Sequence, residues 1–260
     1  AFKYSTLMMG VPTFYTRLIK DKRLDKSLTK NMKLFISGSA PLLTETHQDF
    51  YNITGHQILE RYGMTETNMN TSNPFHGERK AGSVGKPLKD INIRINKTKG
   101  YKNTVHNEIG MIEIMGPNVF KGYLNNSKKT QEAFTEDGYF ITGDIGHFDK
   151  DGYLFISGRN KDLIISGGFN VYPKEVEDVI NKHKSVIESA VFGIKDNDLG
   201  EVPIAVVVMI NDNKEIKDLS VFVENNLVKY KIPKKYIVIR ELPKNVMGKV
   251  QKNILKDKYS

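Results

Sequence analysis

The sequence predicts an α/β protein in which a larger α/β part with a β-rich end is followed by a smaller, compact α+β part. Three observations lead there. Helical and strand-like apolar spacings alternate from Pro12 to Leu59, strand signals dominate from Ile91 to Ile156, and beyond Arg159 to Asp162 helices and strands follow each other closely. With 260 residues, 39% hydrophobic and 27% charged, the chain is long enough for one large or two modest domains with real cores and ordinary in composition.

Taken in order, Pro12 to Ile19 has the spacing of a helix, and Met32 to Ile36 reads as a short buried strand entering the turn SGSAP at 37–41. Leu43 to Ile53 returns to helical spacing and stops at Gly55. Ile58 and Leu59 begin a strand that delivers YGMTE (62–66) at its end, where the loops of α/β sheets commonly carry function. Ile91 to Ile95 and Met111 to Met115 alternate as half-buried strands do, with Glu108-Ile109-Gly110 as the turn before the second. Asp149-Lys150-Asp151-Gly152 lies between Ile145–Phe148 and Tyr153–Ile156, a hairpin signal.

The boundary is expected near Arg159 to Asp162, dividing the chain into 1–159 and 160–260. Past it, Pro173 suits the first residue of a helix whose apolar stripe is Val176, Val179 and Ile180. Val186 to Ile194 and Val202 to Ile210 read as strands, Leu219 to Leu227 as a helix and Tyr236 to Ile239 as a strand. A segment of this length suffices for a domain.

Composition narrows the function classes. The longest aliphatic run, Ala205 to Ile210, is too short to span a bilayer, and Ala1-Phe2-Lys3-Tyr4 shows no secretory pattern, so no membrane partner is expected. With no cysteine there is no disulfide, thiolate nucleophile or cysteine metal site, which is compatible with a reducing compartment. The net charge of +9 would suit an anionic partner, but the lysines are scattered. Lys229 to Lys235 has few stacking aromatics and no nucleic-acid motif, so a solvated basic surface is favoured over nucleic-acid binding. His47, His56, His76, His106, His147 and His183 show no close pair at ligand spacing. A Gly-x-Ser-x-Gly nucleophile elbow is absent from the sequence.

Four motifs carry chemistry. YGMTE offers the Thr65 hydroxyl to a phosphate oxygen and the Glu66 carboxylate to Mg²⁺, a hard cation that prefers oxygen, while Tyr62 can cover a nucleobase; a capped turn is the plainer reading. TGD (142–144) places Asp144 after a strand, where it can accept both hydroxyls of a ribose, and Arg159 can add a charge-assisted bond; a structural Asp–Arg pair stands equally open. In GRNKDLIISGG (158–168), Gly168 lets the backbone approach a narrow ligand, or simply turns a hairpin. MGKVQK (247–252) puts Lys249 on a Gly-containing loop, as an ammonium aimed at developing negative charge or as one more surface lysine.

SGSAPL, ILERYGMTETNMNTSNP, GRNKDLIISGGFNVYPKEVE and LPKNVMGKVQKN, in that order, resemble the acyl-CoA synthetase, adenylation-domain and luciferase superfamily of adenylate-forming enzymes. Within it the chain is most similar to the malonyl-CoA synthetases, through MGVPTFYTRL (9–18), TNMNTSNP and NVFKGY (118–123). The resemblance implies the C-terminal portion of an AMP-binding domain over 1–159 and a small mobile C-terminal α+β domain over 160–260. It also implies an acid–CoA ligase: a carboxylate attacks the α-phosphate of ATP, and coenzyme A then displaces AMP, with malonate as the expected acid. Coenzyme A, with its phosphates, would answer the positive charge.

By the same resemblance Ser39, Ala40, Glu60, Arg61, Tyr62 and Gly63 line the adenine pocket, Thr65 contacts phosphate, Glu66 binds Mg²⁺, and Asp144 and Arg159 hold the ribose. Lys249 serves adenylation, Lys161 is the hinge, and Gly167 and Gly168 belong to the coenzyme A tunnel. Arg17 is the candidate for the distal carboxylate of malonate, since its fork matches carboxylate geometry; read without the resemblance it is a solvent-exposed helical arginine. The family's Ser/Thr/Gly-rich phosphate loop has no counterpart here and the chain begins at Ala1. The expectation is therefore a piece of a longer protein, inactive alone and partnered by its own missing N-terminal half, located in the cytoplasm unless an upstream segment carries an organelle address. A ligase for another short acid, an adenylation enzyme with a different acceptor and a non-catalytic nucleotide- or anion-binding module are the alternatives.

Overall fold

The computed structural model describes residue 2 and residues 4–96, 108–210, 216–245 and 248–260; His106 and Met247 lie outside them. The chain forms two compact units, Ala1–Ile156 and Ser157–Ser260.

In the first unit β1 (Leu7–Gly10) leads into α1 (Pro12–Leu18), where Pro12 occupies the first turn and its missing N–H costs nothing. The buried Tyr15 of α1 donates its hydroxyl to Ile36 O at 2.7 Å. The side chain of Asp25 caps α2 (Lys26–Thr29) by accepting from Leu28 N. β2 (Leu34–Ser37) is buried throughout, and α3 (Thr44–Thr54) ends on Gly55, whose φ of 76° is the left-handed stop that glycine adopts without strain. β3 (Leu59–Met64), β4 (Asn68–Ser72) and β5 (Lys86–Pro87) complete a five-stranded sheet in the order β1-β2-β3-β4-β5. The first three strands are parallel; β4 and β5 are antiparallel additions. Tyr15, Phe35, Phe50 and Ile58 are the heart of the core under this sheet, with Tyr15–Phe50 and Phe35–Phe50 edge-to-face at 5.3 and 4.9 Å.

A four-stranded sheet follows, β6-β7-β8-β9, made of β6 (Asn92–Asn96), β7 (Gly110–Met115), β8 (Phe140–Phe148) and β9 (Leu154–Arg159), with α4 (Ser127–Glu132) between β7 and β8. Ile95, Ile112, Ile114 and Leu154 form its core together with Tyr62 of β3, which ties the two sheets together. Glu113 is 2% exposed, and its charge is met by Arg94 Nε at 2.6 Å and Asn96 Nδ2 at 2.7 Å. The same guanidinium reaches Asp137 at 2.5 and 2.9 Å and lies 3.9 Å over the Tyr139 ring.

Two features were not given by the sequence patterning. The polar stretch after YGMTE is a strand: β4 buries Asn70 and Thr71 completely, because polar side chains can enter a core when bonded, as Thr71 Oγ1 is to Val84 O at 2.6 Å. And β8 begins before TGD, so Asp144 lies within a strand and not after one.

In the second unit β10 (Ile164–Ser166) and β11 (Phe169–Val171) form a hairpin before α5 (Pro173–Asn181). β12 (Val186–Asp196) and β13 (Gly200–Met209) are long antiparallel partners, α6 (Ile216–Asn226) crosses back, β14 (Tyr236–Val238) joins β13 in parallel and α7 (Lys252–Tyr259) closes the chain. The sheet order is β11-β10-β13-β12 with β14 beside β13. Val191, Ala205 and Val207 pack with Val176, Ile180, Leu219 and Val223 of α5 and α6, whereas Ala190, Phe192, Ile204 and Val206 pack with Leu242 and with Leu255 of α7. Both faces are covered, which is why Ile204 to Met209 of β13 reads as an unbroken apolar run. Among the described residues no helix is long and apolar enough to cross a membrane.

Candidate active site

Ser37 of β2 stands opposite Glu60 of β3, so the SGSAP loop and the YGMTE strand leave the sheet side by side. Ser39 turns there at φ 69°, and a β-carbon on Gly38 would sit 3.5 Å from Arg61 O. This places the start of the SGSAP loop, Ser37 and Gly38, next to Glu60 and Arg61. Glu60 itself is 5% exposed and faces inward, accepting from Gly82 N at 3.3 Å, with His47 Nδ1 3.7 Å away and beyond hydrogen-bond reach. Its carbonyl is held by both the backbone N and the Nδ2 of Asn73, at 2.9 and 3.1 Å.

Gly63 is dictated by packing. A β-carbon there would lie 2.0 Å from Asn68 O, and the register of β3 against β4 shifts between Tyr62 and Gly63 to let the backbones approach. The chain then turns tightly, with Thr67 N bonded to Met64 O at 3.2 Å and Asn68 at φ 55°. Thr65 is exposed at the tip, and Glu66 beside it is half-buried. A hydroxyl and a carboxylate thus stand together on one short turn.

That turn is gripped from outside. Phe120 N donates to Glu66 O at 2.8 Å, Asn118 Nδ2 donates to Thr67 O at 2.5 Å, and Tyr123 OH donates to Glu66 Oε1 at 3.1 Å. Burial, and then the adjacent Glu66 carboxylate, push the Tyr123 phenol above its ordinary range, so it stays a donor.

Asp144 reaches the same region through Tyr62, whose hydroxyl donates to Asp144 Oδ2 at 2.6 Å. The carboxylate is placed by a bulge in β8. Met111 faces Ile145 and Glu113 faces Ile141, so extra residues of β8 stand against Ile112, and Gly143 makes the kink at φ 74°. Thr142 Oγ1 pins it by donating to Ile112 O at 2.8 Å and accepting from Asp144 N at 3.0 Å. Tyr62 is only 8% exposed within an aliphatic cluster, so orienting Asp144 is a task the sequence did not reveal for it.

The remaining expected residues occupy distinct places. Arg17 is exposed on α1. In the second unit Arg159 is exposed at the end of β9, and Lys161 is exposed in a 3-10 turn, Asn160–Asp162. Gly167 and Gly168, at φ 56° and 81°, form the turn of the β10–β11 hairpin, a pairing of left-handed residues that suits glycine. A β-carbon on Gly168 would meet no atom within 4 Å, so packing inside the protein does not demand a glycine's small size there. Lys249 is exposed on a loop closed by Asn245 N to Lys249 O at 2.9 Å, Lys249 N to Asn245 Oδ1 at 2.9 Å and Gly248 N to Asn245 O at 2.8 Å. These bonds fix the Lys249 backbone and leave the residue exposed.

Among the described residues no three His, Asp or Glu side chains gather as a metal cage. Mg²⁺ commonly takes one or two protein carboxylates and completes its shell with phosphate oxygens and water, so Glu66 fits as a lone protein ligand beside a nucleotide. Asn118 and Tyr123 escaped the sequence reading as site residues; the signal was the NVFKGY motif, which marked a resemblance without a physical role.

The AMP-binding enzyme family model matches residues 4–124, and the AMP-binding enzyme C-terminal domain model matches residues 175–249. A malonate–CoA ligase of Arabidopsis thaliana is 39% identical over 271 residues, covering 96% of this chain and 44% of its own. A long-chain-fatty-acid–CoA ligase of Bacillus subtilis is 37% identical over 94% of this chain and 44% of its own. Among solved structures, ATP-bound MatB from Rhodopseudomonas palustris is similar with a TM-score of 0.96 at 50% identity, over 99% of this chain and 52% of that one. The chain spans about half the length of the relatives it matches.

Proposed function

Because the chain belongs to the AMP-binding enzyme family, we propose that the protein is an ATP-dependent acid–CoA ligase whose acid is malonate. The observation that carries this reading is the Tyr62 hydroxyl bond to Asp144, which links the strand leading into the Thr65–Glu66 turn, proposed for phosphate and cation, to the carboxylate proposed for the ribose. The malonate–CoA ligase of Arabidopsis thaliana and the MatB structure, similar along nearly the entire chain, support it.

In the first half-reaction a carboxylate oxygen of the acid bonds to the α-phosphorus of ATP and pyrophosphate leaves. In the second, the coenzyme A thiolate bonds to the acyl carbon and AMP leaves. We assign Thr65 to phosphate contact, Ser39, Ala40 and residues 60–63 to the adenine side, and Asp144 with Arg159 to the ribose hydroxyls. Mg²⁺, held by Glu66, would offset the phosphate charge. Arg17 is assigned to the distal carboxylate, Lys161 to the hinge between the half-reactions, and Gly167 and Gly168 to the pantetheine path.

Lys249 is assigned to the first step alone, where an aimed ammonium meets charge developing on the reacting oxygens. Lys249→Ala in the full-length protein should slow adenylation by roughly 10²–10³-fold, the scale for losing one aimed electrostatic donor. Thioester formation from preformed acyl-adenylate should suffer far less. Pyrophosphate exchange and single-turnover thioester formation measure the two steps, and equal losses in both would refute the assignment.

A further inference from the structure

The Asn118–Tyr123 segment makes more contacts with the Thr65–Glu66 turn than covering it would need. Phe120 N fixes the Glu66 carbonyl at 2.8 Å, Asn118 Nδ2 fixes the Thr67 carbonyl at 2.5 Å, and Tyr123 OH fixes Glu66 Oε1 at 3.1 Å. One residue is thus held at its backbone and at its carboxylate by the same stretch of chain, and the backbone beyond it is held as well. An exposed turn of this kind would otherwise let a glutamate sample several rotamers, at an entropic cost on binding.

The clamp is itself anchored. Phe120 packs against Phe134 and Phe140 with centroids 6.0 and 5.4 Å apart, and Phe140, 2% exposed, opens β8. The Tyr123 ring packs edge-to-face with Phe120, centroids 4.9 Å apart, and has the Lys129 ammonium 4.1 Å from its centroid. Tyr123 N donates to Thr130 Oγ1 at 2.9 Å. Gly122 makes that approach possible: at φ 148° it brings the chain so near α4 that a β-carbon would stand 2.5 Å from Thr130 Cγ2. Each atom that touches Glu66 is therefore fixed from behind by the aromatic cluster or by α4. On its other side Asn118 Nδ2 also reaches Asn70 Oδ1 at 3.0 Å, tying the clamp to the buried middle of β4.

We propose that the Asn118–Tyr123 segment is the device that aims Glu66, with Tyr123 as a positioning residue that holds Oε1 and leaves Oε2 to a divalent cation. A ligating carboxylate is commonly oriented by a hydrogen bond from an outer partner, and a phenol donating to one oxygen does this without adding charge. The inference rests on the reading of Glu66 as the Mg²⁺ ligand. It predicts that the segment governs how tightly the metal–nucleotide pair is held.

The test uses the full-length protein with Tyr123→Phe, which keeps the ring contacts to Phe120 and Lys129, and with Glu66→Gln. Mn²⁺ binding in the presence of a non-hydrolysable ATP analogue, read by electron paramagnetic resonance, should weaken about 10-fold in Tyr123→Phe, the lower end of what losing an outer-shell partner costs. The Mg²⁺ concentration giving half-maximal pyrophosphate exchange should rise in parallel, and excess Mg²⁺ should recover the rate. If Glu66→Gln weakens Mn²⁺ binding while Tyr123→Phe does not, Glu66 is the ligand and the positioning role falls. If neither does, the metal reading of Glu66 falls and the proposal with it. A rate loss in Tyr123→Phe that excess Mg²⁺ does not recover, with Mn²⁺ binding unchanged, equally overturns the role.

Discussion

Tyr62→Phe removes a single hydroxyl and keeps the ring, which isolates the bond between the YGMTE strand and the TGD bulge. The donor and acceptor are 2.6 Å apart, and their residues are 8% and 6% exposed, so water cannot easily replace the lost donor. A hydrogen bond to a charged group contributes about 1.5–3 kcal/mol. Asp144 keeps its backbone bond to Thr142 Oγ1 at 3.0 Å, so the bulge holds and the lower part of that range is expected. At ~2–4 °C per kcal/mol for a protein unit of this size, the melting temperature should fall by ~3–8 °C. If Asp144 meets the ribose, a carboxylate that has lost the donor orienting it must also be re-ordered on binding, and AMP affinity should drop by about tenfold, or 1.4 kcal/mol. The assay is calorimetric AMP binding to the full-length protein in Tyr62→Phe, Asp144→Asn and the double variant. Because the hydroxyl acts through the carboxylate, the double variant should fall short of the summed losses by ~0.5–3 kcal/mol. Losses that add within ~0.3–0.5 kcal/mol would show two independent residues and refute the reasoning.

Arg17→Ala should raise the KM for malonate strongly and leave that for ATP nearly unchanged in steady-state assays; equal effects on both would make Arg17 structural. Acid should erode stability in a defined window. The Arg94 hydrogen bond first, and the Thr135 hydroxyl second, hold the Asp137 carboxyl down at about 2. A carboxylate depressed in the folded state contributes stability that is fully present above its unfolded pKa of ~3.9 and is lost as the pH falls toward the folded value. Urea melts between about pH 5 and pH 2 should therefore show a steeper loss in the natural protein than in Asp137→Asn, with part of the slope kept because Asp21 and Asp196 are also held at about 2 by Arg23 and Lys234. Identical slopes would show that the pair contributes nothing.

Much of the fold was legible where local chemistry decides it. Pro12 and Pro173 open helices, Gly55 closes one, and the apolar stripe of Val176, Val179 and Ile180 faces the core. Elements without such marks were harder. β1 shows two exposed residues in four, Leu7 and Met9, and so lacks the pattern of a buried strand. β4 buries asparagine and threonine whose partners lie in other segments. α7 rests on one fully covered side chain, Leu255. Among the candidate site residues, the Thr65–Glu66 turn and the Gly167–Gly168 pair were each visible because each is contiguous in sequence. Tyr62 with Asp144, and Tyr123 with Glu66, are separated by 82 and 57 residues, and no periodicity links such pairs. The β8 bulge was likewise hidden, since Gly143 reads as an ordinary turn residue until the register of β7 shows what it interrupts.

The most direct measurement offers the full-length protein malonate, methylmalonate, acetate and a medium-chain acid in parallel, with ATP, Mg²⁺ and coenzyme A, and reads the thioesters by mass spectrometry. Malonyl-CoA should dominate, with AMP formed in equal amount. Another dominant thioester would remove malonate and keep the ligase chemistry; no thioester from any acid would contradict the account at its root.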